Sequence, residues 1–169
     1  MMRIVPCCAV VWLMAASPAF GADPIGEWVT GDAQGRVKID KCGDNLWGIV
    51  SWEKTPGRDV NNPDPAKRSR PTLGLPVLLD MHPAEPNRWE GNVYNTENGK
   101  IYDARAIVTG PDKLRIEGCV LGFLCGGDNW TRYKPLPESA RNSPPLAAPL
   151  DVCSVSVGSP RTPHERRLK

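Results

Sequence analysis

The side chains most able to do chemistry cluster between Lys54 and Leu75, where Asp59, Asn61, Asn62, Asp64, Lys67, Arg68 and Arg70 follow one another closely. Alternating Asp and Asn oxygens are the donors a calcium ion takes, yet Pro63 interrupts their spacing and no bidentate glutamate closes the loop. The same residues beside proline make turns through side-chain hydrogen bonds to the backbone, with Arg68 or Arg70 folded back onto Asp59 or Asp64. A third use is recognition of an anionic or polar partner, because binding residues are often held on loops by a rigid scaffold. Asp59, Asn62, Asp64, Arg68 and Arg70 are therefore candidate binding residues, and self-satisfied turns are the competing explanation.

The second candidate set is aromatic. Trp52, Trp89, Tyr94 and Tyr102, together with Trp47, either line an apolar pocket or fill an interior. Trp47 and Trp52 have opposite parity, so on a regular strand they cannot both face inward, and at least one is exposed or bulged. Catalytic sets are scarce. The two histidines are His82, before a proline in an expected turn, and His164 near the end, which leaves a serine or cysteine triad little to work with. No CxxC, HExxH or phosphate-cradling glycine motif occurs. Glu90 and Glu97 cannot be separated from ordinary solvated surface. Gly122, Gly126 and Gly127 read as a tight connection. The expectation is no catalytic residue, no metal site and no cofactor.

The elements that must position these groups read as β-strands. Val37 and Ile39 alternate with Arg36, Lys38 and Asp40, the period of a half-buried strand. Leu46 to Trp52 follows a Cys42-Gly-Asp-Asn turn, and Val77 to Met81 is a short strand. Arg88 to Tyr94 and Ile101 to Val108 read as a hairpin around Asn98-Gly99, with Tyr102, Ala104, Ala106 and Val108 on one face. Leu114 and Ile116 open a last stretch that ends in Trp130 and Arg132, two apart and so on the same face. This amounts to an all-β domain of about eight strands without a convincing helix, a number that closes into a barrel either filled by side chains or wide enough for one small ligand. Closure brings Gly26 and Trp28 of the first strand beside Arg132, so that a guanidinium lies over an indole, a contact contributing roughly 0.5 to 2 kcal/mol.

Residues 1–21 read as an export signal, with Arg3, an apolar run over Ile4 to Met14 and small residues before Ala22; the run is too short to span a bilayer. The predicted domain covers 22–134, and the Pro-, Ser- and Ala-rich segment 135–169 reads as a disordered tail. The domain carries 15 Lys and Arg against 16 Asp and Glu, a net charge of −1. No basic patch for nucleic acid is expected. In an oxidising compartment the cysteines that remain after export, Cys42, Cys119, Cys125 and Cys153, should pair where geometry allows. Cys119 with Cys125 is the first choice because it closes a short loop. Cys42 pairs with Cys153 or stays free.

Three stretches together resemble a known family: Ile39-Asp40-Lys41-Cys42-Gly43-Asp44-Asn45-Leu46, the segment Asn62-Pro63-Asp64-Pro65 with Arg70, Pro71 and Gly74, and Gly118-Cys119 through Cys125 to Trp130-Thr131-Arg132. They are similar to the small exported bacterial proteins grouped as domain of unknown function 2147, over about Gly26 to Tyr133. The resemblance implies a lipocalin-like barrel in the bacterial periplasm and no established activity. The Gly26-x-Trp28 start and the late Arg132 also look like the wider lipocalin pattern, in which this tryptophan and arginine meet at the closed end. The family commonly has a cysteine where this chain has Trp47, so a bridge inside that hairpin is unavailable.

The leading expectation is a periplasmic module, not membrane-spanning, that holds a small apolar or amphipathic ligand or serves an envelope partner. The alternative is an interaction or structural module with a solid core and Asp59 to Arg70 as contact surface. A hydrolase or isomerase in the barrel mouth ranks third.

Overall fold

A computed structural model describes residues 23–135 and 150–157 of the 169; the expected signal peptide lies outside the described residues. Eight antiparallel strands run in chain order: β1 (Gly26–Val29), β2 (Gly35–Cys42), β3 (Asn45–Glu53), β4 (Pro76–Glu85), β5 (Arg88–Asn95), β6 (Lys100–Gly110), β7 (Lys113–Val120) and β8 (Leu124–Arg132). Each pairs with its neighbours in sequence, and β1 pairs with β8, so the sheet is a closed barrel.

Alternation decides what enters the barrel. Ala104, Ala106 and Val108 on β6 and Leu114 and Ile116 on β7 are buried, while Arg105, Arg115 and Glu117 between them face outward. These inward residues join Trp28, Val37, Ile39, Leu46, Leu78, Met81 and Trp130 in one core. Full burial of such an aliphatic side chain contributes about 1.5 to 3 kcal/mol.

Closure is made at the register pair Trp28 and Arg132. The Arg132 guanidinium lies 4.2 Å from the centre of the Trp28 ring. Gly26 precedes the tryptophan at φ +133°, and a Cβ there would stand 2.7 Å from an Arg132 nitrogen. A side chain at position 26 would therefore both strain the backbone and push the arginine away.

Four local features depart from the sequence reading. β4 does not stop at Met81: His82 pairs with Glu90 and Pro83 with Trp89, with register shifts on either side. His82 thus sits on the barrel wall, since irregular pairing accommodates the missing proline N–H. Gly126 and Gly127 belong to β8, and only Leu121, Gly122 and Phe123 make the connection from β7. In β3, Val37 pairs with Val50 and Arg36 with Trp52, so Ser51 is an extra residue. That bulge reverses the parity of Trp52.

The fourth concerns the segment 135–169. Part of it is a short helix, α1 (Val152–Val157), packed against β2, β3 and β4. Val152 is buried and Cys153 is bonded to Cys42. Composition alone predicts disorder there, but one disulfide and one buried valine anchor 150–157 to the wall.

Candidate functional site

The segment between β3 and β4 lies on the outer wall. Leu75 packs with Leu79 and Tyr94, and with the half-buried Trp47, in a small second core outside the barrel. Over it sits Asp59, fully buried. Its carboxylate accepts from the Tyr94 hydroxyl (2.5 Å), from Asn62 Nδ2 (2.7 Å) and from Arg70 Nε and a terminal Arg70 nitrogen (2.9 and 2.8 Å). Asn62 in turn caps Asp64 N, and Arg68 Nε donates to the Asn62 carbonyl. Asp64 accepts from Ala66 N and opens a 3-10 turn over Pro65–Lys67. At the loop tip Asn61 donates to the carbonyls of Thr96 and Glu97 beside Gly99, whose lack of a Cβ lets the Asn61 backbone approach. Burial pushes the Tyr94 phenol up, and its donation to Asp59 and the Asp59 charge add to this. The loop candidates Asp59, Asn62, Asp64, Arg68 and Arg70 are therefore brought together, facing one another.

The barrel interior is hollow towards the opposite end from Arg132. A cavity of about 670 Å³ opens among the turns that join β1 to β2, β5 to β6 and β7 to β8 and the stretch leaving β3. This falls within the roughly 300 to 1,000 Å³ typical of ligand pockets. Its walls include Val37, Val50, Val77, Val93 and Ile116, and Trp130 lines it from the core. One feature of β7 and β8 keeps it open. Gly118 and Gly126 are register partners and both line it, so this part of the wall has no side chains. A Cβ added at Gly126 would meet nothing within 4 Å.

Carboxylates stand around the opening: Asp32, Glu53, Glu97 and Asp128 all line it. Asp128 accepts from Gly31 N at 2.8 Å, which ties the β1–β2 turn to β8. Asp32 accepts from Gln34 N at 3.0 Å and from the Thr30 hydroxyl at 2.7 Å. The Gln34 backbone bond and then the Thr30 bond hold its carboxyl below the usual range, so it stays charged at neutral pH. On one side the opening has an apolar lip. Val120 and Leu124 line it, and Leu121, Phe123 and Leu124 are 79%, 71% and 61% exposed. The Cys119–Cys125 disulfide closes this loop at its base.

The aromatic candidates separate. Tyr102 lines the cavity, and Tyr94 borders it while its hydroxyl turns to Asp59. Trp52 is on the outer wall under Arg36, whose guanidinium stacks between Trp52 (4.5 Å) and Tyr133 (3.6 Å). Trp89 packs against the core without lining the cavity. A second concavity, about 540 Å³ on the outer wall, gathers Asp80, His82, Glu90, Asn92, Asp103 and Arg105. Glu90 there is engaged by Arg88 and Arg105, and its hydrogen bond with Arg88 holds its carboxyl below the usual range. Sequence reasoning missed the rim carboxylates and the Gly118–Gly126 pair, although Gly126 and Asp128 sit at the same parity as Trp130, already recognised as facing one way with Arg132.

Residues 26–132 match the family described as "Uncharacterized protein conserved in bacteria (DUF2147)". The chain belongs to this family. Among solved structures, this DUF2147 chain is similar to protein HP1028 from the human pathogen Helicobacter pylori, described as belonging to the lipocalin family. The TM-score is 0.61 at 19% identity, covering 67% of this chain and 84% of that one. At that identity the likeness concerns the fold alone, and the fold is lipocalin-like. A search of curated proteins finds no match to this chain. Among the described residues no helix is long and apolar enough to cross a membrane.

Proposed function

We propose that this family member is an exported carrier or sensor that holds a small apolar or amphipathic molecule inside its barrel, in the bacterial periplasm. The observation behind this reading is the cavity of about 670 Å³ whose deep walls are valine, isoleucine and tryptophan and whose mouth is polar. Such a gradient suits a ligand with an apolar body and a polar end, because burial of the body is favourable and the polar end stays in water. Two disulfides fit an oxidising compartment. The apolar lip at Leu121, Phe123 and Leu124 extends the cavity wall outward and offers an arriving apolar chain a first contact.

The alternative is a solid module that uses the Asp59 to Arg70 loop as contact surface. It draws less support, because Asp59, Asn62 and Arg70 hydrogen-bond to one another and to Tyr94.

The test is native mass spectrometry on protein exported by a bacterial host and purified without detergent, with solvent extraction of any bound species. The expected result is a ligand adduct that is absent from Gly126→Leu, a substitution that projects a side chain into open cavity space. An empty wild-type barrel that also fails to take up a neutral probe such as decanol would refute the reading.

A further inference from the structure

The β7–β8 turn exposes apolar side chains that the fold does not use. Leu121, Phe123 and Leu124 are the three most exposed large apolar residues among those described, and Val120 beside them is also exposed. Elsewhere such residues stand singly, as at Val60, Leu73 and Ile101. A lone exposed leucine is ordinary, whereas a contiguous apolar patch of roughly a few hundred Å² marks a contact surface.

The backbone of Leu121 is an independent observation. Its φ of 56° lies in the left-handed region, and Gly122 follows at 77°. Tight hairpin turns with two such residues favour Asn-Gly, because asparagine tolerates this backbone and leucine does not. The other non-glycine residues with positive φ among those described are Ala33, Asp80 and Asn87, none of them large and apolar. Leu121 therefore strains the turn and leaves its side chain in water, both unfavourable to folding. The Cys119–Cys125 disulfide at the base of the turn holds the tip in place.

The shape and composition of the tip decide what can cover it. It is a convex knob over residues 120–124. A stable protein interface buries about 800 Å² on each partner, more than one hairpin tip offers, alone or against a second copy. A bilayer sets no such minimum and takes apolar groups into the boundary between headgroups and acyl chains. No Lys or Arg occurs in 119–129, so contact there is apolar and not electrostatic. Val120 and Leu124 also line the cavity, so apolar surface runs from the tip into the barrel. We propose that the β7–β8 tip docks the protein on a lipid bilayer, with Leu121 and Phe123 among the upper acyl chains and the cavity mouth at the membrane surface. Docking rests on the tip alone; that the bilayer is where the carried molecule is taken up or released rests on the ligand-carrier reading above.

The test floats the exported protein with phosphatidylcholine vesicles, while a lipid carrying a nitroxide on its acyl chain reports which amides reach the bilayer. The expected result is flotation that added salt does not weaken, with line broadening concentrated at residues 120–124. Leu121→Asn should need severalfold more lipid for half-binding, and Leu121→Asn/Phe123→Ser about tenfold more or beyond. Asparagine suits the left-handed position, so Leu121→Asn should raise the urea midpoint or leave it unchanged, which separates lost docking from lost folding. A wild type that does not float, flotation abolished by salt, or equal flotation of the double variant overturns the proposal. Dimerisation through the tip in place of vesicle binding overturns it too. Decanol uptake measured without vesicles tests the carrier separately. Flotation without decanol uptake overturns the carrier reading and leaves docking standing; decanol uptake without flotation overturns docking alone.

Discussion

The Arg132 guanidinium lies 4.2 Å over the Trp28 ring while donating to the carbonyls of Pro111 (3.1 Å), Ile25 (2.8 Å) and Asp23 (2.6 Å). One side chain thus ties the N-terminal approach to β1, the β6–β7 turn and β8. Trp28, with no exposed surface, donates to the Pro24 carbonyl at 2.8 Å and fixes the same approach from inside. β1 and β8 share two register pairs, and Tyr133 N donates to the Glu27 carbonyl at 2.8 Å just beyond them, so the clasp reinforces a short ladder.

Arg132→Lys keeps the charge but loses the planar fork that reaches three carbonyls. It should lower unfolding free energy by about 2 to 3 kcal/mol, and Trp28→Ala by about 3 to 5 kcal/mol. Urea unfolding followed by far-UV circular dichroism checks both. If lysine is as stable as arginine, the clasp is not what holds the ring shut.

The outer-wall network makes a different prediction. Arg70→Ala leaves the Asp59 carboxylate buried without its ion-pair partner, an arrangement that costs about 3 to 5 kcal/mol. Replacing the half-buried Lys67, whose pairing with Asp64 at 3.4 Å is reached by solvent, should cost less than about 1 kcal/mol. Comparable losses for the two would show that the Asp59 site is not specially dependent on its partner.

Tyr94 sets an alkaline limit. Its phenol is pushed above its ordinary value of 10.0, by burial first and then by Asp59. The folded state therefore holds this proton more tightly than the unfolded state. The associated stability is complete below about pH 10 and is lost as pH rises through the folded-state value. Wild type should lose stability above pH 10 more steeply than Tyr94→Phe, read from urea midpoints at stepped pH. Parallel curves would contradict the assignment.

The Cys42–Cys153 bridge spans 111 positions and holds α1 to the wall. Cys42→Ser/Cys153→Ser should lose about 2 to 4 kcal/mol and raise amide exchange in Val152 and its neighbours. Unchanged protection of those amides would mean that helix packing, not the bridge, fixes the segment.

Much of the barrel was legible because its strands announce themselves locally. Val37 and Ile39, and Ala104 to Val108, alternate cleanly, and the Trp28 and Arg132 pair could be anticipated from position alone. What was not legible depends on register and on long-range contact. The parity change at Ser51 that turns Trp52 outward arises from pairing with β2, which no local pattern encodes. The anchoring of 150–157 needs Cys42 and Cys153 to meet across most of the chain. The side-chain-free part of the cavity wall needs Gly118 to face Gly126 across β7 and β8, whereas in the sequence Gly126 reads as part of a tight connection. The charged loop drew notice for its composition, while the rim carboxylates, scattered over four segments, form a group only when the barrel closes.

The hollow interior itself is tested most directly by titrating decanol into the protein and following the Trp130 indole N–H resonance, with Gly126→Leu as control. A saturable shift in wild type that is lost or weakened at least tenfold in Gly126→Leu, with the variant still folded, is the predicted result. No saturable shift in wild type, or an identical one in Gly126→Leu, would contradict the account, since a ligand would then not occupy the space between Trp130 and the Gly118–Gly126 wall.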